Sequence, residues 1–522
     1  MRQRSGRSSS RARGAPRAGL LAWILLAASV AQAQTITRDK VDAALPALEA
    51  TAQRAVASKA VPGLAIAVVF EGAVVFMKGF GLREIGKPEK VDADTVFQLA
   101  SLSKPISSTV VAALVGEGTV SWDSRIVDLD PGFRLHDPYP TAELTVRDLF
   151  AHRSGLPGSA GDELEEIGYD RTEILKRLRL AEPSSGFRAG YSYSNFGLTE
   201  GAVAAAKPTG KSWEEVAEER LYRLLSMTST SSRHADFLNQ PDRAELHVTT
   251  NGEWTARLKR DPDAQAPAGG VNSSVRDLAQ WVRLELDDGV LDGKRLIDAR
   301  ALRETHFPLM ARGENPVNGG TSFYGLGWGV EFGPHGLAWT HAGAFSVGAR
   351  TLATLYPQAK LGIVVLANAF PTGVPEGLAD SFADLAFDGR VSRDWTASWN
   401  ALFEGMFAPA AAAAKAKYAP PGAPAPGLSD AAYVGRYANA YVGVAQVAAE
   451  NGGLVLRVGP GGKRTYPLLH FDRDTFLCFA TPEAPDWPSA VQFSIGPDGK
   501  ASRVTIESLN GIGLGALDRI GD

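Results

Sequence analysis

Phe97-Gln-Leu-Ala-Ser101-Leu-Ser-Lys104 places a serine and a lysine three positions apart, just ahead of an apolar run, Pro105–Leu114, that reads as a helix. If Ser101 opens that helix, Lys104 lies one turn later on the same face. A serine hydroxyl becomes a good nucleophile when a neighbouring group takes its proton. A lysine can do this when burial or nearby positive charge keeps its amine neutral. The start of the helix would add backbone donors for a developing oxyanion. Pro105 lacks the N–H that would otherwise bond the carbonyl of Ser101, which predicts a loosened first turn. Taken alone, the spacing fits a capped surface helix equally well.

Two further segments carry chemistry. In Tyr191-Ser-Tyr193-Ser-Asn195-Phe-Gly197, Tyr193 and Asn195 would share one side of an extended backbone. A phenol can pass a proton, and an amide can orient a carbonyl or an amine. The plain alternative is a polar turn with aromatic packing. In Trp339-Thr-His341-Ala-Gly343-Ala344-Phe-Ser346, ahead of a strand, His341 would offer a polar group and Gly343 a close backbone approach. A structural histidine is the alternative there. Gly-x-Ser-x-Gly is missing near any plausible nucleophile, and the eight histidines form no His-x-x-x-His pair. Neither a metal nor another cofactor is expected.

Working outward, Asp39–Lys59 has helical spacing in Val41, Ala44, Leu45, Leu48 and Ala52, and Pro62-Gly63 stops it. Leu64–Phe70 and Ala73–Phe80 read as a hairpin turning at Glu71-Gly72, and Gly348–Tyr356 and Leu361–Ala367 as two more strands. These patterns describe a mixed α and β domain with strands from both ends of its sequence. Residues 408–427 are rich in alanine and proline and read as a linker; alanine could make part of it helical, but the prolines disfavour a continuous helix. Beyond it, 428–522 shows short alternating runs broken by Asn451-Gly-Gly453, Gly459–Gly462 and Pro497-Asp-Gly499, the pattern of a small all-β domain.

At 522 residues the chain exceeds one compact core, so two or more domains are expected. Its formal charge of -4 argues against nucleic acid, which needs a basic footprint. Residues 1–33 hold six arginines and no acid, with a short apolar run and Ala31-Gln-Ala33 at their end, the form of a cleaved signal peptide; a disordered tail with an apolar end or an uncleaved anchor is the alternative. No arginines are adjacent, so a twin-arginine signal is unsupported. The expected location is periplasmic or secreted, with no membrane span left after cleavage. The single cysteine, Cys478, excludes an internal disulfide and, in its apolar run, reads as buried and structural.

Ser-x-x-Lys, Tyr-x-Asn and His-x-Gly follow one another in a set order. Leu144–Pro157, Gly269–Leu278 and Tyr324-Gly-Leu-Gly-Trp328-Gly add to the pattern. Together they resemble the serine hydrolases of the class C β-lactamase and penicillin-binding protein superfamily over roughly residues 40–390. The resemblance implies an α+β fold, a class C β-lactamase-like sandwich with an antiparallel sheet and a helical subdomain. It assigns acylation to Ser101, proton transfer jointly to Lys104 and Tyr193, and orientation to Asn195. The backbone N–H groups of Ser101 and Ala344 would form the oxyanion hole, beside Gly343. His341 would take the place of the lysine in the Lys-Thr-Gly motif of β-lactamases. Because lysine is permanently charged and histidine largely neutral at pH 7, an esterase or D-amino-acid peptidase is favoured, with β-lactamase or DD-carboxypeptidase as the alternative. The substrate class is a small ester or peptide, peptidoglycan-derived peptides among them. A silent peptidoglycan- or β-lactam-binding protein is the competing non-enzyme reading. Tyr433-Val-Gly-Arg-Tyr437 and Tyr466-Pro-Leu-Leu-His470 resemble the small lipocalin-like domain appended to this family, which would restrict access to the active site or mediate assembly into an oligomer; a passive stability module is the alternative. The domain division is 1–33 signal, 34–407 hydrolase, 408–427 linker and 428–522 β domain.

Overall fold

A computed structural model describes residues 36–481 and 486–521, so the signal segment expected at 1–33 lies outside the described residues. Helix α1 (Arg38–Ala57) starts at Thr37, whose hydroxyl accepts the Lys40 N–H, and it buries Val41, Ala44, Leu48 and Ala52. The hairpin follows as expected, β1 (Gly63–Phe70) and β2 (Ala73–Gly81). Its turn residues Glu71 and Gly72 both have positive φ, 48° and 76°, the form that matches the twist of paired strands. Helices α2 (Ser103–Gly116), α3 (Asp162–Glu166), α4 (Asn195–Ala206) and α5 (Val275–Leu286) belong to the long segment between β2 and the next large-sheet strand.

The chain then returns to the sheet through β3 (Met310–Glu314), β4 (Thr321–Tyr324), β5 (Gly329–Gly333), β6 (Gly336–Phe345), β7 (Ala349–Tyr356) and β8 (Leu361–Ala367). The eight strands pair antiparallel in the order β2-β1-β8-β7-β6-β5-β4-β3, so strands from both ends of the domain meet at β1 and β8. Strand β1 is buried on both faces. Leu64, Ile66, Val68 and Phe70 pack towards α1 and α6 (Val374–Asp388), while Ala65, Ala67 and Val69 pack towards the core that contains α2 and α5. Double-sided burial explains its unbroken apolar sequence, unusual for an antiparallel strand.

Helix α7 (Trp395–Lys417) continues through Pro409 and the alanine run, so residues 408–417 of the expected linker are helical, the part that alanine allows, and 418–427 are not. Alanine has the highest helix propensity, and the carbonyl that Pro409 leaves without a donor belongs to exposed Gly405, where solvent can reach it. Beyond it, β9 (Gly435–Asn439), β10 (Gly443–Glu450), β11 (Gly453–Val458), β12 (Arg464–Asp472), β13 (Thr475–Cys478), β14 (Ser489–Ile495), β15 (Ala501–Ile506) and β16 (Ala516–Gly521) close into an antiparallel barrel. Alternate residues such as Ala445, Val447, Leu454 and Leu456 fill it. Among the described residues, no helix is long and apolar enough to cross a membrane.

Candidate active site

Ser101 sits in a single 3-10 turn, Ala100–Leu102, from which α2 continues at Ser103. The first turn is therefore tightened where Pro105 had suggested loosening: the Ser103 N–H reaches back to the carbonyls of both Ala100 and Ser101. Ala100 has φ +50°, a left-handed conformation costly for a residue with a side chain, directly before the serine. Its neighbours hold it there. The Leu99 N–H donates to the Val271 carbonyl (2.9 Å), and the Thr351 hydroxyl donates to the Leu99 carbonyl (2.7 Å).

Lys104 is fully buried. Its Nζ lies 3.1 Å from Ser101 Oγ, 2.7 Å from Asn195 Oδ1 and 3.0 Å from the Ala268 carbonyl oxygen. The last two partners only accept, so they take two N–H bonds. The third direction faces the serine, and in the neutral amine it holds the lone pair. Burial lowers the Lys104 pKa to about 7, against a smaller opposing pull from Asp162, so that neutral form exists near neutral pH.

Tyr193 and Asn195 both reach this lysine. Nζ stands 4.5 Å from the Tyr193 ring centroid. Burial raises the phenol pKa far above its usual value, with Ser101 opposing it more weakly, so Tyr193 rests as a neutral O–H. The two residues do not share one extended strand. Asn195 opens α4, capped by Ser194, whose hydroxyl accepts the Gly197 N–H.

His341 lies within β6 rather than ahead of a strand. Burial lowers its pKa to about 3, with Lys104 adding to the effect. Gly343 is required by contact: a Cβ there would sit 2.1 Å from the Leu99 carbonyl oxygen and 2.9 Å from the Leu102 N. Strand β6 thus runs directly against the turn that carries Ser101, and Ala344 follows on that strand.

Several neighbours escaped sequence reasoning. The His152 ring lies 4.4 Å from the Tyr193 ring, tilted 41° to it, and accepts the Ser194 N–H at Nδ1 (3.1 Å). Burial, then Lys104, holds its pKa well down. Tyr324 and Tyr191 extend the aromatic wall, and the exposed Arg312 guanidinium lies 5.6 and 5.9 Å from their ring centroids, Tyr191 first. Asp162 binds Asn195. The sequence signals available were the family-like segments themselves: Leu144–Pro157 holds His152, Tyr191 opens the Tyr193–Asn195 motif, and Tyr324 heads Tyr324–Gly329.

A buried lysine against a serine, at the head of a helix set beside an antiparallel sheet, defines a serine hydrolase of the penicillin-recognising class. Residues 48–386 match the Beta-lactamase family, and the chain belongs to it. Residues 419–513 match a second family, described as a domain of unknown function (DUF3471). The chain is 25% identical to an unguisins hydrolase of Aspergillus campestris over 480 residues, 85% of this chain and 86% of that one. It is 28% identical to penicillin-binding protein 4 of Amycolatopsis lactamdurans, covering 52% and 70%, and 24% identical to a beta-lactamase of Escherichia coli, covering 59% and 84%. The octameric penicillin-binding protein homologue from Pyrococcus abyssi superposes with a TM-score of 0.56 at 19% identity, covering 89% of this chain and 98% of its own, a likeness of fold.

Proposed function

We propose that the protein is an exported serine hydrolase that cleaves esters or D-amino-acid amides through an acyl-enzyme on Ser101. Lys104 takes the serine proton as Oγ attacks the carbonyl, and the backbone N–H groups of Ser101 and Ala344 receive the oxyanion. Tyr193, resting as a phenol, delivers a proton to the leaving group and is restored through Lys104. Water then enters by the same path and releases the acid. The carrying observation is the wholly buried Lys104 amine 3.1 Å from Ser101 Oγ.

Neutral His341 supports esters and D-peptides over β-lactams, because no fixed cation stands where β-lactamases carry their lysine. The positive charge on that side is Arg312, exposed on strand β3 at the sheet edge, so a substrate carboxylate would be met at the rim. The likeness to the unguisins hydrolase spans 480 residues, more than the hydrolase domain alone contains. Residues 34–407 would form that domain, 428–522 the barrel, and export through 1–33 would deliver it to the periplasm or medium. The chain would associate through the barrel; the Pyrococcus abyssi homologue is octameric.

The test is hydrolysis of p-nitrophenyl butyrate, a D-alanine p-nitroanilide and nitrocefin by the full-length protein, with Ser101→Ala beside it. The variant should lose roughly a thousandfold or more while keeping its circular dichroism. A rate within tenfold of wild type would overturn the assignment, and fast nitrocefin turnover would move the reading to a β-lactamase.

A further inference from the structure

The turn between β9 and β10 of the barrel is buried against the hydrolase domain. Tyr441, on that turn, is 2% exposed. Its hydroxyl donates to Glu163 Oε1 (2.9 Å) and accepts the Gly161 N–H (2.9 Å). The backbone around it is held as well. The Val442 carbonyl accepts from the Tyr169 hydroxyl at 3.0 Å, and Arg177 donates to the Tyr441 carbonyl at 2.5 Å. Gly443, with φ +87°, leaves no room for a Cβ, which would fall 2.4 Å from the Tyr169 hydroxyl oxygen. Within the barrel, Asn439 ties the turn down by accepting the Val442 N–H and donating to the Leu514 and Ala516 carbonyls.

Between the two groups that Tyr441 grips, Gly161 and Glu163, stands Asp162. Both its carboxylate oxygens lie 3.3 Å from Asn195 Nδ2, and Asn195 Oδ1 accepts from Lys104 at 2.7 Å. An amide that gives its N–H to a carboxylate has only its oxygen to offer the lysine, so Asp162 fixes which way Asn195 faces. A continuous path therefore runs from the barrel to the amine beside Ser101.

We propose that Tyr441 and Asp162 are positioning residues: the barrel turn holds Asp162 against Asn195, and Asn195 in turn aims Lys104 at Ser101. The inference rests on the Ser101–Lys104 reading above. It makes the barrel part of the active site. The charged groups around Asp162 are Lys104 from α2 and Glu163 and Glu165 from α3, with the Tyr193 and Tyr441 phenols also facing it. Arg260 pairs with Glu165. Burial, then Glu165, raises the Asp162 pKa to about 7, so its charge changes in the same range as that of Lys104.

The experiment uses full-length protein and p-nitrophenyl butyrate, reading kcat, KM and the pH profile of kcat/KM. Asp162→Asn removes a negative charge that favours the ammonium, so the acid limb should move to lower pH while kcat falls about tenfold, a change worth one amide misorientation. Tyr441→Phe keeps the ring and deletes both hydrogen bonds; kcat should drop at similar KM, with a displaced acid limb. A merely structural Tyr441 would lower Tm and leave the limb in place. Should Tyr441→Phe not fold, Asp162→Asn alone decides. Wild-type kcat and limb in Asp162→Asn, with Ser101→Ala inert, would overturn this inference only. Turnover by Ser101→Ala would instead overturn the underlying reading.

Discussion

The hydroxyl of Tyr324 lies 2.9 Å from Nε2 of His341, whose Nδ1 is 2.8 Å from the carbonyl oxygen of Ala342. A carbonyl can only accept, so Nδ1 carries the proton and Nε2 offers its lone pair to the phenol. Burial and the Tyr324 phenol hold the imidazole neutral, against the Ala342 carbonyl, which favours the protonated ring. Bonding to the neutral form of a base lowers its pKa. In proton–carbon NMR, His341 should therefore show no titration between pH 5 and 8, in keeping with a value pushed down to about 3. Tyr324→Phe removes the donor and should raise the pKa. An imidazole titrating near pH 6.5 in the wild type would contradict this pairing.

Lys104 should cost stability as well as supply chemistry. Its pKa is about 7 in the native protein against 10.5 when free. Between those values the unfolded chain binds a proton that the native chain has released, so this group makes stability rise with pH across the window. Below about pH 7 the native protein carries the full penalty of a buried ammonium. Lys104→Met should abolish turnover, and its Tm relative to wild type should be higher at pH 6 than at pH 10. An equal difference at both pH values would count against a depressed lysine.

Gly343→Ala should damage both fold and activity. The added methyl would collide with the Leu99 carbonyl and with Thr351 Oγ1, 2.4 Å away, and neither is a loose side-chain end. Overpacking of this kind costs about 1–3 kcal/mol. Because the displaced backbone is the turn that carries Ser101, kcat should fall further than the lost stability alone explains. Denaturant unfolding beside ester hydrolysis would separate the two effects, and a variant of unchanged activity would show that β6 has slack there.

The local parts of the site were legible because their spacing is local. Ser101 and Lys104 share a helical turn, Tyr193 stands two residues ahead of Asn195 at the head of α4, and the Glu71-Gly72 hairpin needs only alternation and a turn signal. What lies between domains was not legible. Asp162 to Glu166 reads Asp-Glu-Leu-Glu-Glu, which in a sequence looks like a solvated acidic face. Only the fold sets Asp162 on Asn195, and Tyr441 reaches Glu163 across 278 residues. That the alanine helix would pass through Pro409 was hidden for another reason: propensity along the alanine run outweighs one missing hydrogen bond where solvent can replace it.

Cys478 offers a direct probe of the barrel. It is fully buried on β13, and burial raises its thiol pKa to about 12, so a thiol reagent should react only after the barrel opens. Tyr433 is the residue whose loss should speed that opening. Its hydroxyl donates to Asp474 Oδ1 (2.7 Å) and accepts the Leu428 N–H (2.7 Å), and its ring packs on Phe476 and Phe493. Phenylalanine keeps the ring contacts and deletes the two hydrogen bonds, one of them to a charged carboxylate and worth about 1.5–3 kcal/mol. At about 1.4 kcal/mol per factor of ten, labelling of Cys478 in Tyr433→Phe should run at least roughly tenfold faster when opening and closing outpace the reagent. Immediate labelling of the native wild type would mean that the thiol is open to solvent and the barrel is not closed around it.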